Sequence, residues 1–228
     1  MAIEIAINPT WDDLFDLHLP TLSLTDLGLL WRSNHLIRTR HIDRKTGKMQ
    51  LRASGTPYYT HLVSSAILTL WINPNPDNPR KMAEEMSAAL LHDIKEDCDG
   101  ITDEFLRQTF SPEVAFLVDS LTREKDNPHD YSRKLLERTW VNPAVAEIKL
   151  AENSHNAVTL GDFSQSKQKA WCLKVAREYF PFFERATQFI PSDRRDRFSE
   201  LFLQTAETVH RQLSTLGCDD PFALSKSV

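Results

Sequence analysis

From Leu27 onward, apolar residues recur at three- and four-residue spacing in segment after segment, the mark of amphipathic helices. The pattern predicts helices over Leu27 to Arg40, with Leu30, Trp31 and Ile37 as apolar contacts, from Pro57 to about Ile72, and over about Arg80 to Lys95. Two shorter helices follow Thr102 and Ser111, hydroxyl caps trailed by acids or by proline. Further helices are predicted over Tyr131 to Trp140, Pro143 to about Leu160, Ser166 to Arg185 with a kink at Pro181, and Ser192 to Leu216. Phe198, Leu201, Phe202, Thr205, Val209 and Leu213 form the inward stripe of the last, which Gly217 stops. Every element reads as helical, so the expected fold class is all-α. Residues 1–25, broken by Pro9 and Pro20, are expected to be an N-terminal lead-in; 26–216 a single helical domain; and 217–228 a tail.

Two of these helices change character along their inward side. In the first, Met82, Met86, Ala89 and Leu90 stack at helical spacing, and one turn on the same side carries Asp93, Glu96 and Asp97, with His92 flanking. In the second, Val145 and Ile148 begin a stripe that Glu152, Asn156 and Thr159 continue, with His155 beside them. Burying unpaired charge is costly, so a bound cation is the natural partner for such a face; an exposed helix end is the plain alternative. Two helices of this kind can meet around one site. His61 sits near the inward side at the start of the helix after Pro57, where an isolated histidine is more often an ordinary core residue.

Composition narrows the classes. Of 228 residues, 41% are hydrophobic and 26% charged, which fits a soluble globular chain. Only 6 glycines argue against a fold rich in strands and tight turns. A net charge of −5 gives no hint of nucleic-acid binding. The 3 cysteines form no CxxC pair, so neither a disulfide framework nor a zinc ribbon is expected. The N-terminus is acidic and lacks the apolar core of a signal peptide, and no apolar run is long enough to cross a bilayer, so the expected location is cytoplasmic. One local exception to the acidic balance is Arg38 to Arg52, where basic residues face only Asp43; it reads as a solvated loop or as a phosphate cradle.

The residues then resemble a known family. His61, then His92-Asp93, then an acid in a later helix follow the order of the HD metal-dependent phosphohydrolases. Arg52-Ala-Ser54-Gly55-Thr-Pro57-Tyr58 with His61 resembles the R-x-S-G-x-P-Y…H segment of RelA/SpoT-type hydrolase domains. Leu91-His92-Asp93-Ile-Lys-Glu96-Asp97 resembles their L-H-D-x-x-E-D, and Lys149-Leu-Ala-Glu152-Asn-Ser-His155-Asn156 their K-L-A-D-R-L-H-N. Val118 to Thr122 resembles the V-x-G-V-T stretch between them. The resemblance covers about residues 38–160.

It implies an HD-type helical bundle and a stand-alone small alarmone hydrolase, without room for a synthetase domain. Such enzymes remove the 3′-pyrophosphate of ppGpp and pppGpp using manganese. By resemblance His61, His92, Asp93 and Glu152 would hold Mn²⁺, and Glu96 and Asp97 would position water and handle protons. Arg52 and Ser54 would contact guanine, Tyr58 would shape the pocket, and Asn156 and Thr159 would contact ribose or phosphate. Charge alone offers Arg44, Lys45 and Lys48 for the 5′-phosphates. The chain departs from the pattern at Glu152, where the family has aspartate, at Asn153-Ser154 in place of Arg-Leu, and at Leu62 where proline is common. Two other readings stay open: a phosphohydrolase of another nucleotide or of pyrophosphorylated RNA, and a weakly catalytic module that neutralises an alarmone synthetase. Neither a membrane nor DNA is an expected partner.

Overall fold

The structure, a computed structural model, describes residues 5–6, 9–16, 22–43, 46–124 and 130–218. Arg44, Lys45, residues 125–129 of the loop before Tyr131, and the tail beyond Cys218 lie outside the described residues. The chain is all-α. In order, α1 (Trp11–Asp16), α2 (Leu24–Arg40), α3 (Tyr59–Ile72), α4 (Pro79–Leu90), α5 (Ile94–Asp97) and α6 (Asp103–Thr109) lead to α7 (Pro112–Leu121), α8 (Tyr131–Val141), α9 (Ala144–Val158), α10 (Gln165–Lys174), α11 (Phe180–Ala186) and α12 (Ser192–Thr215). Among the described residues the only β pairing is two isolated bridges, Ile42 with Met49 and Leu51 with Pro57, which fold the basic segment back on itself. Gly55 takes φ +84° in the turn between them, a conformation that disfavours any side chain.

Caps stand where their chemistry puts them. Ser23, Thr102 and Ser111 accept backbone N–H groups at the starts of α2, α6 and α7. Asn142 accepts the Ala144 amide and starts α9. The predicted contact Trp31 is instead 61% exposed: the buried side of α2 runs through Leu29, Leu30, Ser33 and Ile37, and Trp31 points away from it.

α3 is the central helix, packed between α4 and α9. α2 and α7 cover α4, and α12 covers α9. Ser154 of α9 meets Thr205 of α12 through their hydroxyls at 2.6 Å, so one departure from the family pattern serves a buried helix contact. Leu62, another departure, is fully buried in the core.

The predicted kink at Pro181 takes a definite form. A proline there has no N–H for the Arg177 carbonyl, and its ring would collide with that carbonyl in a continuous helix. The chain widens into a π turn over Val175–Tyr179, closed by the Phe180 amide on the Val175 carbonyl, and α11 restarts with Pro181 in its first turn. Phe180, Phe183, Phe198 and Phe202 then interlock between α11 and α12, with ring centroids 5.6 to 6.3 Å apart.

Below the converging helices lies a buried polar cluster. Arg194 of α12 sits 2.9 Å from Glu147 of α9, and Asn73 donates to Glu85 of α4 at 2.7 Å, with Lys81 3.8 Å from the same carboxyl. Burial pushes Glu85 up to about 8, with the charge of Glu147 adding to it. Burial pushes Glu147 up to about 7 against the pull of Arg194.

Two measurements follow from this packing. Phe183→Ala removes a fully buried ring and is expected to cost about 3 to 5 kcal/mol in denaturant unfolding. Because both carboxyls are raised in the fold, folding binds protons. Their contribution is complete below the ordinary carboxylate range and is lost as pH rises through about 7 to 8. The thermal midpoint is therefore expected to fall on going from acid to alkaline buffer across that window, and Glu85→Gln to flatten the decline.

Candidate metal centre

α4 ends at Leu90, short of the predicted Lys95, and the reason is a side chain. In a continuing helix the Ala89 carbonyl would accept the Asp93 amide. Here the His92 Nδ1 takes that carbonyl at 2.7 Å. A turn through Leu91–Asp93 follows, then the short α5. The turn buries His92 almost completely beside His61, from the first turn of α3. The two rings lie edge to face, 5.2 Å apart, and ligand atoms of His61, His92 and Asp93 lie within 4.8 Å of one another.

The donor set fits a divalent cation. With its Nδ1–H given to Ala89, neutral His92 presents a lone pair at Nε2, and that atom faces the Asp93 carboxylate at 3.1 Å. Two acceptors at that separation need a proton or a cation between them. Without a metal the proton fills that place: burial works against the charged ring, but the Asp93 carboxylate outweighs it and brings His92 up to about 9. Asp93 itself is held well below the usual carboxylate range: burial opposes this, and the His92 ring overcomes it. His61 goes the other way, lowered by burial and then by the neighbouring rings of His92 and His155. Its Nδ1 lies 2.8 Å from Nδ1 of the fully buried His155. When the His61 Nδ1 donates there, its Nε2 is left as the ligand atom, the support that ligating histidines ordinarily receive.

Tyr58 and His41 back the carboxylate side. The Tyr58 hydroxyl donates to Asp93 Oδ2 at 2.5 Å. His41, hidden in sequence among the basic residues, is buried and stacks on Tyr58 with centroids 5.0 Å apart. Its Nδ1 lies 3.3 Å from Gln50 Oε1 and 3.8 Å from Asp97. Glu96 and Asp97 stand at the solvent edge. Burial, then the charge of Asp93, pushes Asp97 up to about 6. Burial also raises Glu96, which accepts the Arg123 amide at 2.6 Å.

The remaining sequence candidates divide. Glu152 falls outside the set with mutually close ligand atoms; its Oε2 is bonded to the buried Lys149 at 2.6 Å. It nonetheless lines, with Asp93, two adjoining cavities. The larger, about 430 Å³, has Arg52, Tyr58, His61 and Asn156 on its walls, with Leu160, Phe163 and Trp171 as its apolar side. The smaller, about 150 Å³, is walled by Glu96, Arg123, Lys149, Lys174 and Tyr179, among others. Arg52 is held in place: one terminal nitrogen donates to Asn156 at 3.1 Å and to Thr159 at 2.9 Å. Ser54 is exposed and paired with Thr56 in the turn, and Lys48 is exposed; neither lines either cavity. Of the residues that sequence reasoning did not single out, Phe163, Trp171 and Lys174 come from beyond about residue 160, where only a generic helix pattern was visible, while His41 and Arg123 come from earlier loops.

The fold and site thus define an all-α protein with two buried histidines and a half-buried aspartate able to hold a metal ion. No family model matches the chain. The chain is nevertheless homologous to a segment of much longer alarmone enzymes. It is 31% identical over 153 residues to the guanosine-3′,5′-bis(diphosphate) 3′-pyrophosphohydrolase of Haemophilus influenzae, covering 63% of this chain and 21% of the relative. It is 29% identical over 152 residues to the bifunctional (p)ppGpp synthase/hydrolase SpoT of Escherichia coli, covering 63% and 20%. It is 32% identical over 164 residues to the GTP pyrophosphokinase rsh of Brucella melitensis, covering 68% and 20%. The chain therefore spans about a fifth of the length of the curated relatives it matches. A solved structure, described as a metazoan ortholog of SpoT that hydrolyzes ppGpp and plays a role in starvation responses, aligns with a TM-score of 0.49 at 20% identity, over 86% of this chain and 98% of that one.

Added divalent cation is expected to raise the thermal midpoint of the wild-type protein and to leave that of His92→Ala unmoved. Tyr58→Phe, which removes the hydroxyl on Asp93, is expected to weaken cation binding by roughly 10- to 100-fold in a calorimetric titration.

Proposed function

We propose that the chain hydrolyses the 3′-pyrophosphate of ppGpp and pppGpp, giving GDP or GTP and intact pyrophosphate, with Mn²⁺ as its cation. The observation that carries this reading is Asp93, which faces His92 Nε2 at 3.1 Å and lines both a nucleoside-sized cavity and a small polar one. Homology to segments of ppGpp 3′-pyrophosphohydrolases supports the choice of substrate. Two imidazoles and a carboxylate are a suitable set for manganese. When bound, the ion supplies a Lewis acid for a phosphoryl oxygen and acidifies water.

The protein's own groups do the rest. Release of intact pyrophosphate requires a water oxygen to bond the phosphorus next to the 3′ oxygen. The P–O3′ bond breaks, and a proton ends on the nucleoside 3′-hydroxyl. In this reading Asp97, raised towards neutrality, and Glu96, which lines the smaller cavity, orient that water and take its proton. Arg52, fixed by Asn156 and Thr159, presents its guanidinium to the nucleoside cavity. Glu152 reaches the site from across both cavities as a fourth, more distant carboxylate whose charge Lys149 balances. The cytoplasm, where such nucleotides occur, is the location that suits this reaction.

The test is turnover of ppGpp by purified protein with Mn²⁺ and with chelator, the products resolved. Manganese-dependent GDP plus pyrophosphate is expected. Asp97→Asn is expected to lower kcat by roughly 10²- to 10⁴-fold, the usual range for loss of a general base. Sequential release of single phosphates, or turnover confined to other pyrophosphorylated nucleotides or RNA ends, would sink the reading. Protection of cells expressing an alarmone synthetase that survives His92→Ala would point instead to a binding module.

A further inference from the structure

The smaller cavity has a cation with nothing yet to do. Three cationic side chains line it: Arg123, Lys149 and Lys174. Lys149 is bonded to Glu152, and Arg123 reaches Glu178 at 3.4 Å. Lys174 makes no hydrogen bond or ion pair among the described residues; its ammonium sits over the Tyr179 ring, 5.4 Å from the centroid. One turn earlier on α10, Trp171 lines both cavities, as Asp93 and Glu152 do. The acids of the chamber, Asp93, Glu96 and Glu152, carry as much charge as its cations, so an anion enters only where a cation is uncommitted and a bound metal offsets the carboxylates.

The π turn makes this arrangement possible. In an unbroken α-helix, five residues advance about 500°, which would turn Tyr179 about 140° away from Lys174. The wider turn brings the two onto one face, and both line the chamber.

We propose that this chamber receives the terminal phosphate of a 3′-diphosphate, with Lys174 contacting it and Trp171 as the partition between nucleoside and leaving group. The inference rests on the hydrolase reading and deepens it: Lys174 is a specificity-determining residue that selects a 3′-diphosphate over a 3′-monophosphate. The nucleoside occupies the larger cavity and the phosphorus under attack lies at Asp93. The second phosphorus then falls beyond Asp93, on the Lys174 side.

The probe is inorganic pyrophosphate, titrated calorimetrically into manganese-loaded protein beside inorganic phosphate. Lys174→Gln is expected to weaken pyrophosphate binding by roughly tenfold or more, the usual worth of a hydrogen bond to a charged group, while leaving phosphate binding within about twofold. Lys174→Arg is expected to restore most of the loss. The same Lys174→Gln change is expected to raise KM for ppGpp with kcat little altered. Lys169→Gln, an exposed lysine on the same helix, controls for general charge and is expected to change neither. Equal pyrophosphate affinity in wild type and Lys174→Gln, or an equal loss in Lys169→Gln, would overturn the inference. If pyrophosphate binding depends on Lys174 but ppGpp is not hydrolysed, the chamber stands and the assignment of the substrate is what has failed.

Discussion

The site turns on two acceptors pressed together, one on a buried imidazole and one on a half-buried carboxylate. When neutral, the His92 imidazole gives its one N–H to the Ala89 carbonyl, and its other nitrogen then looks at a carboxylate 3.1 Å away. That contact is repulsive until something positive joins it. The same Ala89 bond ends α4 and creates the turn that carries both ligands. Helix termination and ligand presentation are therefore one event. Tyr58 and His155 complete the frame by fixing the Asp93 carboxylate and the His61 ring. An imidazole moved by an ångström here would lose either the carbonyl or the ion, and metal sites depend on such supporting contacts as much as on the ligands.

Much of this was legible in the chain. The alternation that made Met82, Met86, Ala89 and Leu90 a stripe holds, and all four are buried. Caps at Thr102 and Ser111 and the stop at Gly217 could be read because they are local chemistry. The end of α4 could not be read that way. It depends on a side chain competing for a backbone carbonyl, and a periodic pattern carries no trace of such competition. Trp31 shows the other weakness of pattern reading, since an aromatic residue at helical spacing is assigned inward by default, while only the packing of α2 on α4 decides which side is covered.

The site was legible through motifs and invisible where motifs stop. His61, His92 and Asp93 come together as the family resemblance implied, whereas Ser54 and Lys48 stay at the surface, away from the cavities. His41 was lost among basic neighbours because its burial comes from the folding back of residues 42 to 51. Trp171 and Lys174 reach the site only through the tertiary path of α10, which no short-range signal encodes. Glu152 shows a residue type that sequence can name but not place: its carboxylate is bonded to Lys149.

The π turn before Pro181 carries a consequence for how this chain can change over time. It acts as a one-residue spacer between two faces that serve different purposes, one lining the chamber and one filling the aromatic core of α11 and α12. The length of the segment cannot drift, because losing a single residue would restore an ordinary helical pitch and rotate Trp171 and Lys174 by about 100° relative to the core they are anchored to.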